Sequence, residues 1–241
     1  MIRCALIAAA LFLGSAAHAE QACPAEVKLL LSPPTVQTVI ASLGFEKRGA
    51  GRVYFFDTKS LDLLMQGVIV RVRQGVNSDL TVKVRLPAGG GEADGTRPPM
   101  QFACEIDRTR AGSSISYAVG RRFRGNAPET GKEIYGLLGA SQIALLQEAR
   151  AAIDWSRVVR IADIDSTKWE TNAQSPAGKL ALEEWEWPSG RILELSAKAG
   201  PDAESSKYAE LERLVRAKKL YLADTQDTKT RIVLESLAER R

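Results

Sequence analysis

From Val68 to Leu86 the chain reads VIVRVRQGVNSDLTVKVRL, two runs of alternating apolar and polar residues on either side of a turn-like QGVNSD. A strand places every second side chain on the same face. Arg71 and Arg73 therefore share one face of the first run, and Thr81, Lys83 and Arg85 share one face of the second. Val68, Val70 and Val72, then Leu80, Val82 and Val84, take the opposite faces. Paired as a hairpin, the two runs hold four cations side by side with no acid among them. A sheet with one face on a core and one in water shows such alternation. So does a groove or barrel lumen that binds a polyanion.

The same reading extends along the chain. PAEVKLLL (24–31) predicts a short strand with Glu26 and Lys28 on one face. SPPTVQTVIASLG predicts a helix capped by Ser32, with Pro33 at its first position, an apolar stripe of Val36, Val39, Ile40 and Leu43, and Gly44 at its end. GRVYFFDT predicts a strand, SLDLLMQG a turn or short helix, and PAGGGEADGTRPP a loop. MQFACEIDR predicts a strand with Glu105 and Asp107 on one face and Phe102, Cys104 and Ile106 on the other. Between Arg110 and Thr130 the pattern is lost, with Arg121, Arg122 and Arg124 suited to a solvated surface. SQIALLQEARAAIDW then predicts a helix, so that 110–155 reads as a helical insertion. RVVRIADIDSTKWET, GKLALEEWEW and RILELSAKA predict three strands. An amphipathic helix in SSKYAELERLVRAKKL and a last helix from about Thr228 follow. About eight long antiparallel strands with helices at the start, middle and end suggest an α+β fold with a curved or closed sheet.

Composition narrows the chemistry. MIRCALIAAALFLGSAAHA (1–19) has a basic residue, an apolar run too short to span a membrane and a small-residue cleavage point, which together predict a secretory leader and an exported chain with no membrane anchor. The remaining chain, about 220 residues, is long enough for a sizeable core. The 33 basic and 29 acidic residues give a net charge of +4, or +3 once Arg3 leaves with the leader. That excess is too small to argue for nucleic-acid binding. The one histidine, His18, lies in the leader, so the mature chain lacks Ser-His-Asp catalysis, Cys-His catalysis and histidine metal sites. Cys23 and Cys104 are the mature cysteines; export favours a disulfide between them, the alternative being two buried thiols.

The charged faces of the strands are segregated by sign: Arg71 with Arg73, Lys83 with Arg85, Glu105 with Asp107. Like charges side by side are mildly unfavourable. A basic wall that holds phosphate oxygens beside an acidic wall that holds divalent cations gives the segregation a use. The alternative is that Glu105 and Asp107 simply pair with Arg71 and Arg73 across strands.

VYFFDTKSLDLLMQGVIVRVR followed by LTVKVR resembles the CYTH superfamily, the triphosphate tunnel metalloenzymes. Their pattern runs from a Tyr-Phe-Asp-Thr strand through Leu-Arg-x-Arg to Thr-x-Lys. Further matches come in order: AEVKL resembles the end of the opening Glu-x-Glu-x-Lys signature, FACEID an acidic tunnel strand, LALEEW and ILELSAK the late acidic strands, and Thr228-Lys229 a closing Ser-Lys. The resemblance implies an eight-stranded antiparallel tunnel that hydrolyses tripolyphosphate or a nucleoside triphosphate with Mg²⁺ or Mn²⁺. It implies phosphate contacts from Lys28, Arg71, Arg73, Lys83, Arg85, Lys168 and Lys229, metal ligation by Glu26, Glu183 and Glu194, and positioning of the attacking water by Tyr54 with Lys28. As plain residues, Tyr54 could equally be an ordinary strand aromatic and Lys229 an exposed helix charge. Cys23 and Cys104 alternate with the lumen positions and are expected outside the tunnel.

Three positions depart from the pattern. Pro24 and Ser196 stand where glutamates are expected, and Ser166 where an arginine is expected. The basic wall is nearly intact while the acidic one is reduced. Two functions follow: an exported metal-dependent triphosphatase, or a tunnel that kept its grip on polyphosphate or organic phosphates and lost hydrolysis.

Overall fold

In the computed structural model, which describes residues 23–32, 36–75, 78–87, 101–172 and 178–238, the alternating runs close into a barrel. Among the described residues its strands are β1 (Ala25–Leu31), β2 (Phe45–Asp57), β3 (Val68–Gly75), β4 (Asp79–Pro87), β5 (Cys104–Thr109), β6 (Gly112–Arg122), β7 (Val159–Thr171), β8 (Leu180–Trp187) and β9 (Gly190–Ala199). The helices are α1 (Val36–Leu43), α2 (Asp62–Met65), α3 (Gly131–Leu137), α4 (Ala140–Glu148), α5 (Glu204–Ala217) and α6 (Lys229–Ala238). The predicted leader, the Pro33 helix start and most of the Gly-rich loop lie outside the described residues.

Around the barrel the order is β1-β5-β6-β4-β3-β2-β7-β8-β9, and β9 returns to β1. Every pairing is antiparallel except β1 with β5, which is parallel. The expected eight antiparallel strands are thus nine with one parallel seam. The additional strand is β6, in the stretch where no pattern was legible. Its Ile115, Tyr117 and Val119 pack outward, but Ser114, Ser116, Ala118 and Gly120 fill the other face, so apolar alternates with small rather than with charged. The expected helical insertion over 110–155 therefore begins with a strand, and helix is confined to α3 and α4.

Apolar residues work on both sides of the wall. Val68, Val70, Val72, Leu80, Val82 and Val84 face outward and pack beneath Ile134, Leu145 and Leu146 of α3 and α4. Val27, Leu29, Leu182 and Leu195 pack beneath Val36 and Val39 of α1 and Leu211 and Val215 of α5. A third cluster joins Val53, Phe55, Ile69, Ile164 and Trp185 to Val233 and Leu234 of α6. Residues paired across neighbouring strands share a face. Val53 pairs with Arg73, Phe55 with Arg71 and Ile69 with Lys83, so this third cluster occupies part of the interior and α6 packs onto it. The charged side chains share what remains.

Candidate functional site

Lys28, Arg71, Arg73, Lys83, Arg85, Lys168 and Lys229 line one cavity of about 300 Å³ inside the barrel, with Glu26, Glu183 and Glu194. The strand period brings all but Lys229 there, and Lys229 enters from the start of α6. Lys198 and Glu105 join them. The cations are not bare, as the hairpin alone suggested. Asp79 is the cross-strand partner of Arg73 and accepts its Nε at 3.0 Å. Arg71 makes no ion pair among the described residues, and its buried Nε has no hydrogen-bond partner. Burial, and then Arg73 beside it, lower the Arg71 pKa.

Asp107 is the hub of the basic wall. Its side chain is fully buried and accepts Lys83 at 2.7 Å, Arg85 at 3.2 Å and Ser116 at 3.1 Å, as well as Lys28. Burial opposes its charge, but Lys28, Lys83 and Arg85 prevail and hold the carboxyl far below its ordinary range. Lys28 also pairs with Glu26 at 3.0 Å. Burial pulls against the Lys28 ammonium, yet Asp107 and Glu26 raise its pKa well above normal. Lys83 goes the other way. Burial outweighs Asp107, Lys28 and Arg85 add repulsion, and its pKa falls to about 8. Cross-strand pairing of the acids with Arg71 and Arg73 does not occur; Asp107 serves the lysines and Arg85 instead.

Across the lumen, Glu183 and Glu194 are cross-strand partners on β8 and β9. Lys229, at the start of α6, is buried rather than exposed and reaches both, with Glu194 at 2.9 Å. Burial pushes Glu183 up, but Lys229 and hydrogen bonds from Trp185 and Ser166 bring it down to about 2. Lys168 lies at the rim, half exposed and 3.4 Å from Glu170.

Tyr54 does not join this set. It faces outward among Val70, Val72 and Leu80, with the Arg160 guanidinium 5.1 Å from its ring centre. The cause is strand parity: Val53 and Phe55 take the interior of β2. Next along the motif, Asp57 caps α2 by accepting the Leu63, Leu64 and Thr58 backbone N–H groups at 2.7–2.9 Å. Gly67 (φ +72°) then brings the chain onto Arg85, whose N–H it accepts at 2.8 Å; a Cβ there would lie 2.3 Å from the Arg85 carbonyl oxygen. Cys23 and Cys104 form a disulfide, and Cys104 packs on the outer cluster.

The acids that lie together are not the expected three. Glu26, Glu105 and Asp107 bring carboxylate oxygens within 4.8 Å of one another, because β1 lies between β9 and β5 and Glu26 pairs with Lys198 and Asp107. In donor type and spacing they could hold a hard divalent cation, which would have to displace the Lys28 and Lys198 ammonium groups that pair with them. Glu183 and Glu194 hold Lys229 instead. Parity places Glu105 and Asp107 on one face in the sequence, and could also have found Trp185 from Glu183. Only the parallel β1–β5 pairing shows which acids meet.

Two further spaces adjoin the lumen. One, of about 300 Å³, adds Arg48 and Arg52 and shares Arg73, Lys168 and Glu183 with it. The other, of about 520 Å³, shares Ile69, Arg85 and Thr228 with it and is lined also by Leu64, Met65, Leu86, Asp107 and Arg231.

No family model matches the chain, and no curated protein matches it. Solved structures do. HpAC1 from Hippeastrum, described as an adenylyl cyclase candidate with a dominant triphosphatase activity, aligns at a TM-score of 0.59 and 18% identity, over 88% of this chain and 94% of that one. An adenylate cyclase candidate from Bacillus halodurans aligns at 0.54 and 16%, over 87% and 96%. At these identities the likeness is one of fold: the chain has the tunnel architecture of these cyclase- and triphosphatase-type proteins.

Proposed function

We propose that the chain is an exported CYTH-type tunnel protein that binds a triphosphate-containing anion in its lumen and hydrolyses a phosphoanhydride bond. One observation carries this reading. Eight Lys and Arg side chains line the cavity against four Glu, and with the paired acids Asp107, Asp79 and Glu170 counted one positive charge remains in excess. Fixed cations in a site of low dielectric stabilise the charge of a phosphoryl group passing to water without reorganising at that moment. Arg71, Lys83 and Arg85 are the phosphate ligands in this reading, and Lys28, held charged by Asp107 and Glu26, acts as a hydrogen-bond donor and not as a base. Mg²⁺ or Mn²⁺ held by Glu26, Glu105 and Asp107 would polarise a phosphoryl oxygen. Inorganic tripolyphosphate fits the lumen alone. The adjoining space at Leu64 and Met65 gives a nucleoside triphosphate room for its organic part. The predicted leader and the disulfide support export, and no described helix is long and apolar enough to cross a membrane.

A second reading, binding without hydrolysis, is favoured by Tyr54 lying outside the lumen and by Pro24 and Ser196 lacking carboxylates. The deciding experiment measures phosphate release from tripolyphosphate and from ATP by the leaderless chain with Mg²⁺, Mn²⁺ or chelator, beside calorimetric binding. Metal-dependent release supports the enzyme. Saturable binding without release supports the receptor, and no binding at all overturns both.

A further inference from the structure

Glu183 and Glu194 stand directly opposite each other on neighbouring strands and face the same interior. Like charges so placed repel, and in a site shielded from water the repulsion is large. A cation between them, or a proton on one of them, relieves it. In this chain the cation is an ammonium: Lys229 contacts both carboxylates.

The surroundings suit an ammonium better than a metal ion. The Lys229 nitrogen lies 4.5 Å from the centre of the Trp185 ring, the attractive position of a cation over an aromatic face. The same indole donates its N–H to Glu183 at 2.8 Å, and Ser166 donates to Glu183 at 2.9 Å. Mg²⁺ and Mn²⁺ favour octahedral oxygen shells completed by water. The Trp185 ring face on one side offers no oxygen ligand to such a shell. Lysine, with three donors and a strong requirement for partners once buried, finds two carboxylates and a π face.

We propose that Lys229 is a resident counter-ion that takes the place of a divalent metal at Glu183 and Glu194, so that this acidic pair holds no metal while Lys229 is present. Lys229 then serves the acidic pair rather than the phosphate chain. The inference rests on the tunnel reading above and sharpens its metal requirement.

The test counts Mn²⁺ bound per chain, by the loss of the free Mn²⁺ paramagnetic signal, in four proteins: wild type, Glu183→Gln/Glu194→Gln, Lys229→Met, and the triple variant. Circular dichroism checks the fold of each. Wild type and the double variant are expected to bind the same number of ions, Lys229→Met one ion more, and the triple variant to lose that gain. A fall in Mn²⁺ count in the double variant would overturn the proposal, because Glu183 and Glu194 would then be ligands with Lys229 present. A folded Lys229→Met that gains no ion would overturn it as well. Should Lys229→Met fail to fold, the double variant still decides the question. Tripolyphosphate titrated into the wild type reports separately on the tunnel reading.

Discussion

The Lys83 ammonium donates to Asp107 at 2.7 Å, and the same carboxylate also receives Lys28 and Arg85. A single buried acid thus holds together three cations from two strands. Removing one member of such a buried group leaves the others uncompensated, at a cost of about 3–5 kcal/mol. Asp107→Asn is expected to lower the melting temperature sharply, and tripolyphosphate to restore more of it than it adds to the wild type. Equal shifts in the two proteins would mean that the phosphate chain does not replace Asp107 as the partner of these cations.

Arg71 is the counterpart. Without an ion pair among the described residues it contributes little to the fold and much to an incoming anion. A charge-assisted contact is worth about 1.5–3 kcal/mol, so Arg71→Ala should weaken tripolyphosphate binding by roughly ten- to a hundredfold while leaving the melting temperature unchanged or higher. Arg73→Ala should cost less affinity, because Asp79 already engages that guanidinium. Calorimetry and melting curves of the two variants check the order.

Lys83 sets a pH limit on binding. Burial lowers its pKa to about 8, and a bound polyanion would raise it again. Below that pH the proton is already in place and affinity is full. Above it, binding must take up a proton, and affinity falls by up to about tenfold per pH unit. Titrations from pH 6 to 10 are expected to show this decline beginning near 8 and to lose it in Lys83→Arg. A flat profile in the wild type would contradict the assignment.

Asp57, part of the recognisable FDT segment, is structural. Its carboxylate satisfies the first N–H groups of α2, and losing such a cap costs about 0.5–2 kcal/mol. Asp57→Ala should unfold at lower temperature yet bind tripolyphosphate with unchanged affinity when folded.

How far the sequence carried the reading can be seen in these residues. Period-two alternation placed Arg71, Arg73, Lys83, Arg85, Glu26 and Lys28 on lumen faces, because parity needs only the local chain. It missed β6, whose inward Ser116 and Gly120 carry no charge to mark a face. Tyr54 was expected in the lumen from its motif, although Val53 and Phe55 on either side of it hold the interior positions. Partnerships were beyond reach. That Asp107 meets Lys28, and that Lys229 meets Glu194, depends on how strands far apart in the chain lie against each other.

The parallel seam between β1 and β5 has a consequence for how the molecule assembles. β1 is the first described strand of the chain, yet its neighbours are β5 and β9, the latter the last strand of the barrel. Its backbone stays without sheet partners on one edge until residues as distant as Gly190–Ala199 have been made and folded back. Contacts of such long sequence separation make folding slow. Glu26 and Lys28 on β1 meet Asp107 on β5 and Lys198 on β9 only when the ring closes, so this charged group is among the last parts of the lumen to assemble.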